Sequence, residues 1–340
     1  MKTMVFKYIT DFARLFKSEI NANINEDEPV LVEGITKVLG GLRHNDGKLS
    51  VTTFSEFIHG ATSTVKADFL IEKRRELGDM IFIVTLALNG KPEFERITIN
   101  QCKKSEKRRG LSWKIAKEQL LLLAKFPPFK ALGSFPGSGQ HCSWKDFSGC
   151  LGSYGLFDMK NSEFLFFSAT RIHQYLCLHK KLLGSTMHPD EYFKITAKNN
   201  LPGISKKCMN CNRWSLAGKY EELHTLCENG IDLCVGRHGC PNQHFAKDID
   251  DFSHKYLTLQ IGEPTIVNGR IFNPELEAVA KNLKALVMKT QDAPSQPPKK
   301  EKKNRKDEPE DDGGGLGIIY TRIDMHDDDR REDANLRKGR

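Results

Sequence analysis

Cys208-Met-Asn-Cys211 sets two thiols at the spacing with which a tight turn holds two corners of a tetrahedral metal site. Further along come Cys227, Cys234, His238, Cys240 and His244. Thiolate and imidazole together suit zinc, and four protein ligands would close its coordination sphere, making the ion structural rather than catalytic. Two ligand sets are open. One is Cys227, Cys234, Cys240 and His244; the other joins Cys208 and Cys211 to two later residues such as Cys234 and His238. Scattered free thiols are the plain alternative, and seven candidate ligands within 37 positions argue against it. Lys206, Lys207, Arg213, Trp214 and Arg237 flank the group. Basic residues beside an aromatic ring suit single-stranded RNA as well as they suit a solvated surface.

The run Cys227-x6-Cys234-x5-Cys240-x3-His244 resembles the CCCH zinc-finger family, with Phe245 as the aromatic that often follows its histidine. Its first spacing is slightly shorter than that family's. A second pattern lies upstream. Phe54 to Ala61 reads as a helix, Ala67 to Glu72 as a strand, and Met80 to Leu88 as a strong strand with apolar residues on both faces. Asn89-Gly90 is a hairpin signal, Phe94 to Ile99 the return strand, and Ser112 to Phe126 a long helix stopped by Pro127-Pro128. This order, with Phe54-Ser-Glu-Phe57, the Phe82 to Gly90 run and Gly110-Leu-Ser-Trp-Lys-Ile-Ala-Lys117, resembles the double-stranded-RNA-binding domain family.

That resemblance implies a chemistry. A-form RNA hides its bases in a deep major groove, so such proteins grip two minor grooves and the phosphates between them. Glu56 would meet a 2′-hydroxyl, and Lys73, Arg74 and Arg75 would lie in the loop that enters the other minor groove. Lys114 and Lys117 would hold phosphates at the second helix's N-terminus. Trp113 stands where the family carries a lysine, and Lys107, Arg108 and Arg109 replace its charge. The first loop has Arg75-Glu-Leu-Gly78 where the family has Gly-Pro-x-His, and Asn100 to Leu111 is a longer connection than usual. Some members use this fold for protein contacts alone. A protein–protein scaffold is therefore the alternative function, with a protein partner or a second copy as its ligand.

These elements must be positioned by the rest of the 340 residues. Val5, Tyr8, Ile9, Phe12, Leu15, Phe16 and Ile20 recur at helical spacing over residues 4–21, and a second helix runs from about Val30 to Leu39. Glu275 to Met288 is a closing amphipathic helix. The expected fold class is α+β: a helical segment over 1–45, an α-β-β-β-α domain over 51–126, a Gly/Pro/Ser-rich linker over 127–145, a zinc-stabilised mixed domain over 146–290, and a disordered charged tail over 291–340. The tail's Pro297 to Lys306 run reads as a nuclear import signal, a phosphate-tethering arm or a solvated charge run.

A net charge of +8 favours an acidic partner, nucleic acid first. The nine cysteines, late and near histidine, read as metal ligands before disulfides. No stretch has the length of a membrane span, and the first residues lack a secretory core and cleavage site. The expectation is an RNA-binding protein with a structural zinc module, a viral or host-defence factor by function, cytoplasmic or nuclear, not an enzyme. His173, His179 and His188 read as core or surface histidines. His141 and Cys142 near Asp146 match no nucleophile signature.

Overall fold

A computed structural model describes residues 2–59, 64–67, 75–105, 112–131, 141–144, 149–178, 192–196, 244–292 and 315–326. In chain order the elements are α1 (Lys2–Ala22), α2 (Glu28–Leu39), β1 (Arg43–Asn45), β2 (Leu49–His59), β3 (Thr64–Ala67), β4 (Arg75–Glu76), β5 (Met80–Leu88), β6 (Lys91–Lys104), β7 (Ser112–Ala116) and α3 (Lys117–Lys125). There follow β8 (Phe129–Ala131), β9 (His141–Cys142), β10 (Gly152–Asp158), β11 (Glu163–Ser168), α4 (Ala169–Leu178), β12 (Tyr192–Thr196), β13 (Phe245–Ala246), α5 (Ile249–Leu257), β14 (Glu263–Val267), β15 (Arg270–Ile271), α6 (Pro274–Asp292) and β16 (Gly315–Met325).

The strongest strand signal in the sequence becomes the middle of the molecule. From Met80 to Ala87 every side chain of β5 is buried, as a strand covered on both faces requires. Asn89 and Gly90 turn the chain with φ of 51° and 79°, the left-handed pair that a two-residue hairpin needs. Around this hairpin a mixed sheet runs β1-β2-β16-β5-β6-β10-β11-β13, and β14 with β15 flanks the first half of β6. Met80, Phe82, Val84 and Leu86 face α1, α2 and α5, where Phe12, Phe16, Ile35, Phe252 and Tyr256 close one core. Ile81 and Ile83 face the other way, against Leu120 and Leu123 of α3, Ile172 of α4, and Leu276 and Leu283 of α6. The class is mixed α/β, with helices on both faces of a largely antiparallel sheet.

Several expectations are corrected. The helix expected over 54–61 is not found in its described part: the chain from Leu49 to His59 is a strand, and residues 60 and 61 lie outside the described residues. Phe54 and Phe57 stand three apart as on a helix, but Leu49, Val51 and Thr53 alternate into the core, and β-branched residues fit a strand between two partners. The helix expected over 112–126 begins only at Lys117, because Trp113 and Ile115 point inward from a strand at Ser112–Ala116. The described residues of 51–126 thus do not show the α-β-β-β-α order. The stretch 127–145, read as a linker, contains β8 and β9. Nor does it divide two sheets, since β10 beyond it pairs in parallel with β6 before it.

The largest correction is at the C-terminus. Gly315–Met325, inside the segment read as a disordered tail, is the strand between β2 and β5, antiparallel to one and parallel to the other. Its Ile318 and Ile319 are fully buried on opposite faces of the sheet. A buried hydroxyl chain fastens it. Tyr8 Oη lies 2.6 Å from Thr53 Oγ1, Thr53 Oγ1 lies 2.7 Å from Thr321 Oγ1, and Tyr256 Oη donates to the Ile83 carbonyl while lying 3.1 Å from Thr321 Oγ1. On the other face Glu95 of β6 accepts from Thr85 at 2.6 Å, from Thr265 at 2.8 Å and from Lys284 of α6, so a fully buried carboxylate holds that helix to the sheet.

Two substitutions in β16 test its place. Ile319→Ala is expected to lower unfolding free energy by roughly 2–5 kcal/mol through lost burial and a cavity. Thr321→Val is expected to cost about 1–3 kcal/mol by leaving hydroxyls unsatisfied. Urea denaturation reads both, and two unchanged midpoints would return 315–325 to a disordered tail.

Candidate nucleic-acid interface

The residues singled out for RNA contact fall into three groups. Arg75, Lys114 and Lys117 come together around β4, β7 and the start of α3. Glu56 sits on β2 opposite Ile318, not on a helix that could present it to a minor groove. Lys73, Arg74, Lys107, Arg108 and Arg109 lie outside the described residues.

β7 is amphipathic by strand alternation. Trp113 is 1 % exposed and donates its indole N–H to the Phe157 carbonyl at 3.0 Å, and Ile115 is fully buried. Lys114 between them is exposed. The apolar run Leu120–Leu123 then carries α3 into the same core. Gly152 lets this helix lie close on β10, since a Cβ there would stand 2.0 Å from the Leu123 carbonyl oxygen. Lys117 is only 6 % exposed, so it is held in the fold rather than offered to solvent. Arg75 is committed too: its Nε and Nη2 donate to the same Glu118 oxygen at 2.9 and 2.6 Å. A guanidinium already matched to a partly buried carboxylate has little left for phosphate.

Two further lysines on neighbouring elements are exposed. Lys125 ends α3 and Lys130 lies on β8, both exposed, while Phe126 and Phe129 beside them are buried and pack against Trp144. Lys125 lies close to His173 of α4, whose imidazole is held neutral first by burial and then by that positive charge. The motif ran from Gly110 to Lys117 and took in neither lysine. Their signal is the inward-outward alternation of Phe129-Lys130.

The expected metal ligands divide differently. Cys208, Cys211, Cys227, Cys234, His238 and Cys240 lie outside the described residues, and His244 is described. Among the described residues no group of three or more His, Cys, Asp or Glu side chains is arranged to hold a metal ion. His244 is 6 % exposed, with Nδ1 2.7 Å from Ser168 Oγ. Cys150 Sγ is 3.4 Å from Nδ1 and 3.8 Å from Nε2. A thiol that near to both nitrogens lies on neither lone-pair axis, so the pair is not seated as two ligands of one ion. With Nδ1 used by Ser168, Nε2 is the nitrogen a metal would take, oriented by the serine as ligating histidines usually are.

Burial, helped by the nearby Arg171 charge, pushes the His244 imidazole down to about 4. It is neutral at pH 7, the form that either a hydrogen bond from serine or a metal requires. Among the described residues no helix is long and apolar enough to cross a membrane. Comparison with protein-family models, with curated proteins and with solved structures finds no match.

The buried histidine makes stability depend on pH. The unfolded chain binds the proton near pH 6.5 and the folded chain only near pH 4, so the contribution is whole above 6.5 and is lost as pH falls toward 4. Its size is on the order of 3 kcal/mol. Urea denaturation across that window is expected to show a steeper acid loss for the wild type than for His244→Gln. Parallel curves would contradict it.

Proposed function

We propose that this chain binds structured or double-stranded RNA by shape and phosphate contacts. The observation that carries the reading is the segregation on β7, α3 and β8: aromatic and aliphatic side chains turn inward, and Lys114, Lys125 and Lys130 turn out. A surface that places ammonium groups on rigid elements, in a chain of net charge +8, attracts phosphates and pays little entropy on binding.

Preference for a duplex over a single strand follows from what this surface presents. Single-strand binders stack bases on exposed rings. Among the described residues the large apolar side chains that are well exposed are Phe6, Val30, Ile271, Leu286 and Met288, and the one ring among them is on α1, against the opposite face of the sheet. Among the described residues this surface offers lysines and no exposed ring, which favours a stiff, charge-dense partner. The support is therefore the charge pattern and not the family's topology, which the described residues of 51–126 do not reproduce. In the same proposal the Cys/His segment forms a structural zinc module, with His244 Nε2 as its described donor. Metal analysis of the purified chain tests that part, and a zinc content near zero would remove it.

Gel-shift titration against a duplex RNA of about 20 base pairs, longer than the roughly 16 that such modules span, tests the main reading. The matching DNA duplex and the single RNA strand serve as comparisons at two salt concentrations. The expected order is RNA duplex first, with affinity falling as salt rises. Lys114→Glu with Lys125→Glu is expected to weaken binding at least tenfold while circular dichroism stays unchanged. Equal, weak retention of all three ligands would favour the scaffold alternative.

A further inference from the structure

A row of polar side chains crosses the main sheet inside the core. Tyr154 of β10 and Gln101 of β6 are register partners in a parallel pair. Met80 pairs with Asn100, so Asp79, one residue earlier, stands on the other side of Gln101. Strands lie about 4.8 Å apart, which makes the row Asp79-Gln101-Tyr154 about 10 Å long. It faces the layer of α3 and β7, since Tyr154 packs in one core with Trp113, Leu120 and Leu123. Asp79 Oδ2 accepts from the Cys102 backbone N–H at 2.6 Å and from Gln101 Nε2. Two atoms of the row are left over. Gln101 Oε1 and Tyr154 Oη have no hydrogen-bond partner among the described residues, although Gln101 is 5 % exposed and Tyr154 is fully buried. The amide cannot resolve this by turning over, because its N–H already serves Asp79. Gly78 closes the chain over the row's end. A Cβ there would stand 2.8 Å from Ile99 Cγ2 and 3.0 Å from the Asn100 carbonyl oxygen, so the chain before Asp79 lies directly on β6.

We propose that Asp79, Gln101 and Tyr154 form an internal binding site for one ordered water molecule, which accepts from the Tyr154 hydroxyl and donates to the Gln101 carbonyl and the Asp79 carboxyl. This does not depend on RNA binding. A buried hydroxyl and a buried carbonyl are each costly when unpaired, and here a spare donor and a spare acceptor stand on neighbouring strands. One molecule that both accepts and donates answers the two together, and a water in a protein interior typically makes about three such bonds. The phenol stays a donor, because burial, and then the charge of Asp79, raises it well above its ordinary range. Burial also raises the Asp79 carboxyl, with the Lys103 charge opposing and those of Glu28 and Glu76 adding. Lys103 itself donates to Glu28 at 2.7 Å. A monovalent cation is the less suited guest, because the Lys103 ammonium already acts on Asp79. The bound water joins β5, β6 and β10 beneath the layer of β7 and α3.

A crystal structure of the wild-type full-length chain, at a resolution that shows ordered water, tests the site directly. The expected result is one peak of water density within hydrogen-bond distance of Tyr154 Oη and Gln101 Oε1. No density there overturns the proposal, and so does density that only a metal ion or a larger molecule fits. Urea denaturation gives a second reading whose sign separates a wet site from a dry one. If the hydroxyl holds a water, Tyr154→Phe lowers the unfolding midpoint by stranding that water and the Gln101 carbonyl. If the hydroxyl is a dry orphan, removing it leaves the midpoint unchanged or raises it, and either result overturns the proposal. Gln101→Met and the double variant complete the cycle. The double variant is expected to lose less than the two single losses added together, because both act through one water. Losses that simply add overturn the shared site.

Discussion

Eleven residues from the end of the chain hold the two halves of the sheet together. Without β16, β2 would pair with β1 alone and β5 with β6 alone, and two long strands would each expose an unpaired edge. With it, β2 and β5 are bridged through the whole of Gly315–Met325. The bridge is also where the two layers of helices are fixed. Ile319 packs toward α1, α2 and α5, and Ile318 toward α3, α4 and α6. The Tyr8-Thr53-Thr321-Tyr256 hydroxyl chain ties α1 and α5 to the same strand. Because the pairing joins residues over 200 positions apart in sequence, the main sheet is complete only once nearly all of the chain is in place.

That constraint bears on the proposed interface. β7, α3 and β8 are docked on the layer that Ile318 and Tyr320 help to form. The strands and helix that carry the basic side chains are held in place by the burial of Trp113, Leu123 and Phe129. The buried Glu95, paired with Lys284, fixes α6 on this face in a similar way.

What could be read from sequence divides along physical lines. The first two helices, the β5-turn-β6 hairpin and the last helix were legible because each carries a long periodic pattern or an Asn-Gly turn. β2 was misread because Phe54 and Phe57 fit a helical face, and only pairing with β16 decides for a strand. β16 itself was hidden by its setting: Leu316, Ile318, Ile319, Tyr320 and Ile323 are strand-forming, but Lys-, Asp- and Gly-rich stretches on both sides make the window read as a tail. At the candidate site, Lys114, which the motif named, is exposed. That Arg75 meets Glu118 and that Lys117 is buried cannot be read from charge alone.

Amide hydrogen exchange, followed by mass spectrometry with and without an RNA duplex, tests the central claim most directly. In the free chain, amides of 315–325 are expected to be protected to the same degree as those of 80–88. On adding duplex, 112–116 and 129–131 are expected to gain protection while 2–39 stays unchanged. Rapid exchange over 315–325, or a footprint confined to 2–39, would contradict the account.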